Sequence, residues 1–304
     1  EIANDVPEGS TFTKLNKIHV NTTSADPVYV SILVPSGLKV QNLSFADGSN
    51  IKTAKDNTTA IAINTISTVT ATGWDKPYVE INGLKWATMN IGASSATEAG
   101  KYFMWGETTG ITPSGSSFSF PDSQYYSADN NSWDQTKGFA YENCPWTNDT
   151  CIYPINTTVF TKYVPSDQAD YWGGTGSPDG KTTLDLADDA ANVNWGGSWR
   201  MPTKEEFDAL CALPTKSWQT NYNGSGVNGY LFTDANGNSI FLPAAGCGEG
   251  TDLFAIVDSG DYWSSSLDTD DPDYAYPLFF SNIGGTDTES FYRCEGYSVR
   301  ALSE

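Results

Sequence analysis

Short runs of alternating apolar and polar residues, separated by turn-forming residues, recur along most of the 304-residue chain. Alternation of this kind is the pattern of β-strands that bury one face. In the first quarter, runs such as KIHVNT and VYVSILV are separated by SADP and PSG. Further on, Asn82-Gly83 lies between two alternating runs, which is a strong short-range signal for a β-hairpin. The pattern predicts a β-rich protein.

The segment NWGGSWRMPTKEEFDAL, residues 194–210, departs from this alternation and predicts a short helix. Thr203 and Glu206 have the spacing of a capping box, in which each side chain accepts a hydrogen bond from the other residue's backbone N–H. The spacing i, i+3, i+4 gives the helix one apolar face, formed by Phe207, Leu210 and Cys211. Pro214 is expected to end the helix.

Arg200 stands just before this helix, where a positive charge is unfavourable because the helix N-terminus is itself partly positive. We therefore expect Arg200 to form an ion pair with Asp188, with Asp189 or with an acid of the helix; contact with a ligand is the alternative. Trp195 and Trp199 are expected to pack beneath the helix.

The composition changes near residue 74 and divides the chain into two predicted domains. Residues 1–73 contain no Trp, Cys or Arg, whereas residues 74–304 contain all ten Trp, all five Cys and all three Arg. The first part predicts a small all-β, sandwich-like domain. The order of elements in the second part, a hairpin, a short helix and then a series of strands, predicts an α+β domain with one mostly antiparallel sheet and long loops.

The charge of the chain is strongly negative, at −21, which argues against nucleic acid as a partner because phosphate binding requires clustered Lys and Arg. Residues 74–304 carry 31 acids and 11 bases, a net charge of −20. An acidic surface usually serves solubility, and the alternatives are cation binding or attraction of a basic partner. No apolar run approaches the length of a membrane-spanning helix. Since the chain starts at Glu1 without a Met, we expect a removed export segment or lipid anchor.

Cysteine and histidine limit the chemistry that the sequence allows. Cys144 and Cys151 are close enough in sequence to close a small disulfide loop, and Cys247 and Cys294 lie in strand-like runs that a cross-strand disulfide would join. None of the cysteine spacings matches a zinc site. The single histidine, His19, is read as a strand residue, so we expect no histidine-assisted nucleophile.

Two groups of residues are candidate binding sites. Aromatic side chains in or beside a long polar segment (110–162 and beyond) predict a ligand surface for sugars or other partners: Tyr125, Tyr126, Trp133, Trp146, Tyr171 and Trp172. The run LDTDDPDYAY holds four carboxylates, whose oxygens suit Ca²⁺: Asp268, Asp270, Asp271 and Asp273. A solvated acidic loop is the alternative to a Ca²⁺ site.

Seven ordered blocks resemble the Fibrobacter succinogenes major paralogous domain (FISUMP) family, and together they span about residues 75–304. The blocks are VEINGLKWATMNIGA, GKYFMWGET, TTLDLADDAANVNWGGSWRMPTKEEF, GNSIFLPAAG, YWSSSL, YAYPLFF and GYSVRAL. The resemblance implies a C-type lectin-like fold in a secreted or surface lipoprotein of Bacteroidetes, in some cases joined to a fimbrillin-like β domain. The lectin motifs for calcium and sugar are absent, since Tyr262–Ser266 (YWSSS) has the tryptophan but no following Asn-Asp.

These observations predict a non-catalytic cell-surface adhesion protein that binds a glycan or a partner protein outside the cell. The alternative is a structural or tip subunit of a surface fimbria, in which residues 1–73 dock to a neighbouring subunit. A third hypothesis is an oxidase resembling formylglycine-generating enzymes, but the sequence around Cys247 and Cys294 does not match that family.

Overall fold

The computed structural model describes residues 44–47, 50–53, 77–120, 138–140, 143–147 and 159–304. The chain divides into two units, Glu1–Ala71 and Thr72–Glu304. The described residues of the first unit form an antiparallel pair of strands, β1 (Ser44–Asp47) and β2 (Asn50–Thr53). The remainder of the predicted 1–73 domain, including His19, lies outside the described residues.

The described part of the second unit is β-rich with few and short helices, which confirms the predicted mixture of elements. None of its helices has the length and apolar character needed to cross a membrane. The α-helices are α1 (Ala190–Trp195) and α2 (Lys204–Cys211), and short 3-10 helices include Ala169–Tyr171, Leu186–Asp188 and Tyr222–Gly224. The strands are β3 (Tyr78–Ile81), β4 (Leu84–Ala87), β5 (Tyr102–Phe103), β6 (Thr215–Gln219), β7 (Gly229–Thr233), β8 (Ser239–Pro243), β9 (Cys247–Glu249), β10 (Asp252–Phe254), β11 (Ser259–Leu267), β12 (Tyr274–Ser281), β13 (Gly285–Asp287), β14 (Phe291–Tyr292), β15 (Tyr297–Ser298) and β16 (Leu302–Ser303).

The six-stranded sheet has the order β13-β12-β11-β15-β5, and β14 also pairs with β12. Only the β11–β15 pair within this sheet is parallel. Its central strand β11 is buried on both faces, because Tyr262 packs into one core cluster and the adjacent Trp263 packs into another. Asp261 precedes them and, by the two-residue period of a strand, lies on the same face as Trp263.

The described part of this unit also contains two three-stranded sheets, with the orders β16-β4-β3 and β6-β7-β8, and an antiparallel pair formed by β9 and β10. The hairpin predicted at Asn82-Gly83 is confirmed, because β3 and β4 pair across these residues with φ of 53° and 79°. Strand β16 at the end of the chain pairs with β4, placing Leu302 opposite Trp86. The two ends of this unit's described chain are therefore held together by backbone hydrogen bonds.

Helix α2 begins with the predicted capping box. The backbone N–H of Glu206 donates to the Thr203 hydroxyl at 3.3 Å, and the Glu206 carboxylate accepts from the Thr203 N–H at 2.8 Å. Phe207 and Leu210 are buried and pack with Trp86 and the β6-β7-β8 sheet, and the helix ends at Cys211, before Pro214. Local sequence therefore specifies this helix well.

Arg200 pairs with Glu206 of α2, and an acid of this helix was one of the partners expected from the sequence. Its two terminal nitrogens donate to the two carboxylate oxygens of Glu206 at 2.8 and 2.6 Å. Burial raises the pKa of Glu206, but hydrogen bonds from Arg200 and Thr203 outweigh it and hold that pKa below its ordinary value. Asp188 pairs instead with Lys162, and Asp189 caps α1 through the N–H groups of Ala191 and Asn192.

Trp195 and Trp199 contact each other edge to face, with ring centroids 5.6 Å apart, and both pack against the core cluster that contains Trp263. Gly196 and Gly197 between them have φ of 71° and 63°, a left-handed conformation in which glycine carries no steric penalty. This stretch is scaffold.

We expect Thr203→Ala to destabilise the second unit by about 1 kcal/mol, because the N–H of Glu206 loses its acceptor at the helix start. Thr203→Ser keeps the hydroxyl and is the matched control. Urea unfolding followed by circular dichroism would measure both variants. Equal stabilities for the Ala and Ser variants would show that the cap contributes nothing measurable.

Candidate functional site

A cavity of about 420 Å³ opens beside the ends of β11 and β12. Of the described residues that line it, three are carboxylates and none is Lys, Arg or His. The carboxylates are Asp258, Asp261 and Glu295, and the other lining residues are Cys247, Ala255, Ser259, Phe279, Ser281, Asn282, Ile283, Phe291 and Tyr297. We call this site the acidic cavity.

Strand pairing brings these side chains together from distant parts of the sequence. Asp261 in β11 lies opposite Phe279 in β12, and the next residue of β11, Tyr262, lies opposite Ser298 of β15. Glu295 lies two residues before β15, and its side chain lines the same cavity as Asp261. The parallel β11–β15 pair therefore builds the acidic part of the cavity.

Asp261 and Glu295 are carboxyl groups held in low-dielectric surroundings. Asp261 is only 4% exposed. Burial, reinforced by the charge of Glu295, raises the pKa of Asp261 to about 8, although a hydrogen bond from Ser259 acts in the opposite direction. Burial also raises the pKa of Glu295 to about 7, with a hydrogen bond from Tyr297 opposing it. At neutral pH the pair therefore holds at least one proton.

Tyr297, the first residue of β15, supports this arrangement from two residues after Glu295. Its hydroxyl donates to the Glu295 carboxylate, and its ring packs on Trp263 with centroids 4.3 Å apart. Burial raises the pKa of Tyr297 well above its ordinary value, and the Glu295 charge acts in the same direction. Tyr297 is therefore a neutral donor that orients Glu295 toward the cavity.

Cys247 lines the acidic cavity as a free thiol, so the predicted Cys247–Cys294 disulfide is wrong. The two side chains pack in different places: Cys247 against the cluster that contains Trp263, and Cys294 within the cluster that contains Phe139. Burial and the charges of Asp261 and Glu295 raise the pKa of the Cys247 thiol to about 12. The other predicted disulfide cannot be assessed, because Cys151 lies outside the described residues.

The mouth of the acidic cavity carries exposed apolar side chains. Ile283, in the turn after β12, lines the cavity and is 96% exposed. Ala255 also lines it, and three residues beside Ala255 in the chain are exposed: Phe254, Ile256 and Val257. Ala255 and Val257 have φ of 54° and 72°. Positive φ is rare for a β-branched residue, and such strain concentrates at functional sites. The rim is thus both apolar and conformationally unusual.

The aromatic residues predicted to form a ligand surface are placed differently. Trp146 is partly buried, with its ring 4.8 Å from that of Tyr163, and it packs against the cluster that contains Trp263. Tyr171 and Trp172 are partly buried against the cluster that contains Phe139. These three rings anchor their segments to the core. Tyr125, Tyr126 and Trp133 lie outside the described residues, where the predicted ligand surface stays a prediction.

Within the described ranges, no group of three or more His, Cys, Asp or Glu side chains is placed to hold a metal ion, so the Ca²⁺ site at Asp268, Asp270, Asp271 and Asp273 stays a prediction. The carboxylates are used locally instead. Asp268 accepts from the N–H of Asp270 at 3.0 Å, and Asp271 accepts from the N–H of Asp273 at 3.3 Å. Hydroxyl groups of Tyr276 and Tyr171 also hydrogen-bond to this turn, on Asp268 and Asp271. The carboxylates of Asp268 and Asp271 therefore stabilise a turn.

Sequence reasoning missed Asp261 and Glu295. Each is a single acid inside an apolar or mixed run, DYWSSSL and RCEGYSV, and the two are 34 positions apart. An acid at a core position of a predicted strand is a usable signal, because buried acids are rare without a partner. Their meeting depends on the β11–β15 pairing, which local patterns do not specify.

Comparison of the chain with protein-family models, with curated proteins and with solved structures returned no match.

We expect the stability difference between Asp261→Asn and the wild type to depend on pH. The folded chain keeps a proton on Asp261 at pH values where the unfolded chain, with a pKa near 3.8, has lost it. Unfolding therefore releases a proton, and wild-type stability falls as the pH rises toward 8. From about pH 5 to about pH 9, the free energy of unfolding of Asp261→Asn should rise relative to that of the wild type by about 1 kcal/mol or more.

Denaturant unfolding at both pH values would measure this shift. Asp167→Asn is the matched control, since Asp167 is exposed and its carboxylate is hydrated in both states. A difference between Asp261→Asn and the wild type that stays constant with pH would contradict the assignment of a neutral, buried Asp261.

Proposed function

We propose that this chain is a non-catalytic cell-surface adhesion protein that binds a glycan or a partner protein in the acidic cavity. The observation that carries the proposal is the cavity itself, where Asp261 and Glu295 lie beneath an exposed apolar rim. Ligand sites are typically concave, mostly apolar and supplied with a few converging polar groups. The proposal includes display outside the cell, as the resemblance to surface lipoproteins implies.

The resemblance to the FISUMP family also supplies the proposed finer fold, a C-type lectin-like domain. Its support is the location of the seven blocks, which fall on core elements of the second unit. For example, VEINGLKWATMNIGA includes the β3–β4 hairpin, and YAYPLFF belongs to β12. Blocks that build a scaffold leave the loops free to carry a ligand site, as in many binding domains.

The chemistry of the cavity favours binding over catalysis. Cys247 is its only sulfur nucleophile among the described residues, and a thiol with a pKa of about 12 stays protonated at neutral pH. Because the thiolate is the reactive form, this environment does not activate Cys247. The carboxyl groups of Asp261 and Glu295 and the hydroxyl of Tyr297 supply hydrogen-bond donors and acceptors for a ligand.

A substitution at the cavity mouth tests the proposal without disturbing the core. We expect Ile283→Ser to lower binding of the full chain to its ligands on a glycan array and a peptide array by about tenfold, since a well-packed apolar contact contributes about 1–2 kcal/mol. Ile283 is 96% exposed, so the variant should fold normally. Val193→Ser, at a half-exposed valine on α1, is the matched control and should retain binding.

Trp172→Ala distinguishes the cavity from the aromatic segment. Loss of array binding in Trp172→Ala, with normal thermal stability and with Ile283→Ser unaffected, would place the ligand on the aromatic residues and refute the cavity as the site.

A further inference from the structure

We propose that the acidic cavity binds the positively charged side chain, lysine or arginine, of a partner protein. The inference rests on the proposed function, because it identifies the ligand class for the same cavity. It follows from the charge of the lining, the rings around it and the apolar rim, each of which is considered in turn.

The lining of the cavity is unbalanced in charge. Asp258, Asp261 and Glu295 face it, whereas no basic side chain does so among the described residues. Asp261 is 4% exposed and its carboxylate has a side-chain hydrogen bond from Ser259. A carboxylate offers about four acceptor positions, so one hydrogen bond from Ser259 uses only part of the capacity of Asp261. A buried carboxylate is stable in its ionised form when a cation is paired with it, and here the cation would come from the ligand.

The walls suit a cation on an aliphatic stem. Phe279, Phe291 and Tyr297 line the cavity beside the carboxyl groups. Aromatic faces attract lysine and arginine head groups within about 6 Å of the ring, and they also pack against the methylene groups of the stem. A neutral sugar would use the same rings but would supply no positive charge to pair with the carboxyl groups.

The rim identifies a protein as the source of the cation. Ile283 lines the mouth and is almost fully exposed, and the chain on either side of the lining residue Ala255 carries three more exposed apolar side chains: Phe254, Ile256 and Val257. A free amine or metal ion would leave them in water, whereas a protein partner would cover them, and exposed apolar groups rimming a polar centre are typical of protein interfaces. The net charge of −20 on residues 74–304 would also attract a basic partner at long range.

Binding of a cation is linked to proton release. Among the described residues, the titratable groups with an electrostatic interaction with Asp261 are acids, phenols or a thiol: Glu295, Cys247, Tyr297, Tyr102 and Tyr262. Glu249 acts on Glu295 and Cys247, and Asp258 is the third acid of the lining. Since Asp261 and Glu295 hold protons near neutral pH, a cationic ligand displaces them on entry. Affinity for the cation should therefore rise with pH, by up to about tenfold per pH unit for each proton released.

The test uses the full chain and a capped five-residue peptide with a central lysine between two leucines. The matched probe is the same peptide with its lysine acetylated, which keeps the length and removes the charge. By calorimetry at about pH 8, we expect the lysine peptide to bind at least about tenfold more tightly, as for the loss of one buried charge pair. An arginine-centred peptide that binds as well or better would also support the proposal.

Isosteric variants connect the binding to the cavity. Asp261→Asn and Glu295→Gln should each weaken the lysine peptide by about tenfold or more and flatten the rise of affinity with pH. Glu205→Gln removes an equal charge from an exposed position on α2 and should leave the affinity unchanged. Circular dichroism would confirm that the variants remain folded.

Equal affinity for the lysine and acetyl-lysine peptides, or unchanged affinity in Asp261→Asn and Glu295→Gln, would overturn the proposal. These results differ from failure of the proposed function. If Ile283→Ser reduces binding of a neutral glycan while neither lysine nor arginine peptides bind, the cavity is a ligand site and only the cationic ligand class is refuted.

Discussion

The guanidinium of Arg300 is the contact on which the second unit's arrangement depends. It is fully buried and donates to the Asn90 side chain at 2.8 Å and to the backbone carbonyl groups of Ala87 and Phe241 at 3.0 and 3.2 Å. Through Asn90 it also reaches the hydroxyl of Tyr262 in β11. Burial lowers its pKa to about 10, which still leaves the group charged at neutral pH. Because a buried cation without hydrogen bonds is very costly, β4, β8 and β11 must keep the positions from which these hydrogen bonds are made.

The interior holds a second buried cation, Arg293, which is stabilised in another way. Its guanidinium carbon lies 4.0 Å from the centroid of Phe160 and 4.8 Å from that of Trp105, and one nitrogen donates to the carbonyl of Pro272 at 3.0 Å. Backbone carbonyl groups thus accept from both buried arginines, and aromatic rings also pack on Arg293. Asp261 is a buried acid and Glu295 a half-buried one, and their surroundings differ from those of the two arginines. They line an open cavity that no described basic side chain faces, and their raised pKa values favour the protonated, neutral form. Among the described residues, the acidic cavity thus differs from the surroundings of the buried arginines, because no side chain of opposite charge lines it.

Features carried by neighbouring residues were predictable from the sequence. The Asn82-Gly83 hairpin and the capping box of α2 depend on the conformational freedom of glycine and on hydrogen bonds within four residues, and both are present. The cavity, the free Cys247 thiol and the choice of Glu206 for Arg200 depend on strand order and packing. A parallel contact between β11 and β15 brings Asp261 and Glu295 together, and no local pattern encodes that contact. In the acidic run at residues 268–273 the charge was visible in the sequence, but the hydrogen bonds that Asp268 and Asp271 accept within the turn were not.

A cavity that buries carboxyl groups lowers the free energy of unfolding of the protein without ligand. Burying Asp261 favours its neutral form, so each increase in pH toward 8 adds to the cost of folding with the cavity empty. The strained backbone at Ala255 and Val257 on the rim adds a further cost. The buried hydrogen bonds of Arg300 and the pairing of β16 with β4 lie elsewhere in the unit and offset these costs. A ligand that satisfied the carboxyl groups would remove the penalty at its source, so in this domain stability and binding are coupled through the same two side chains.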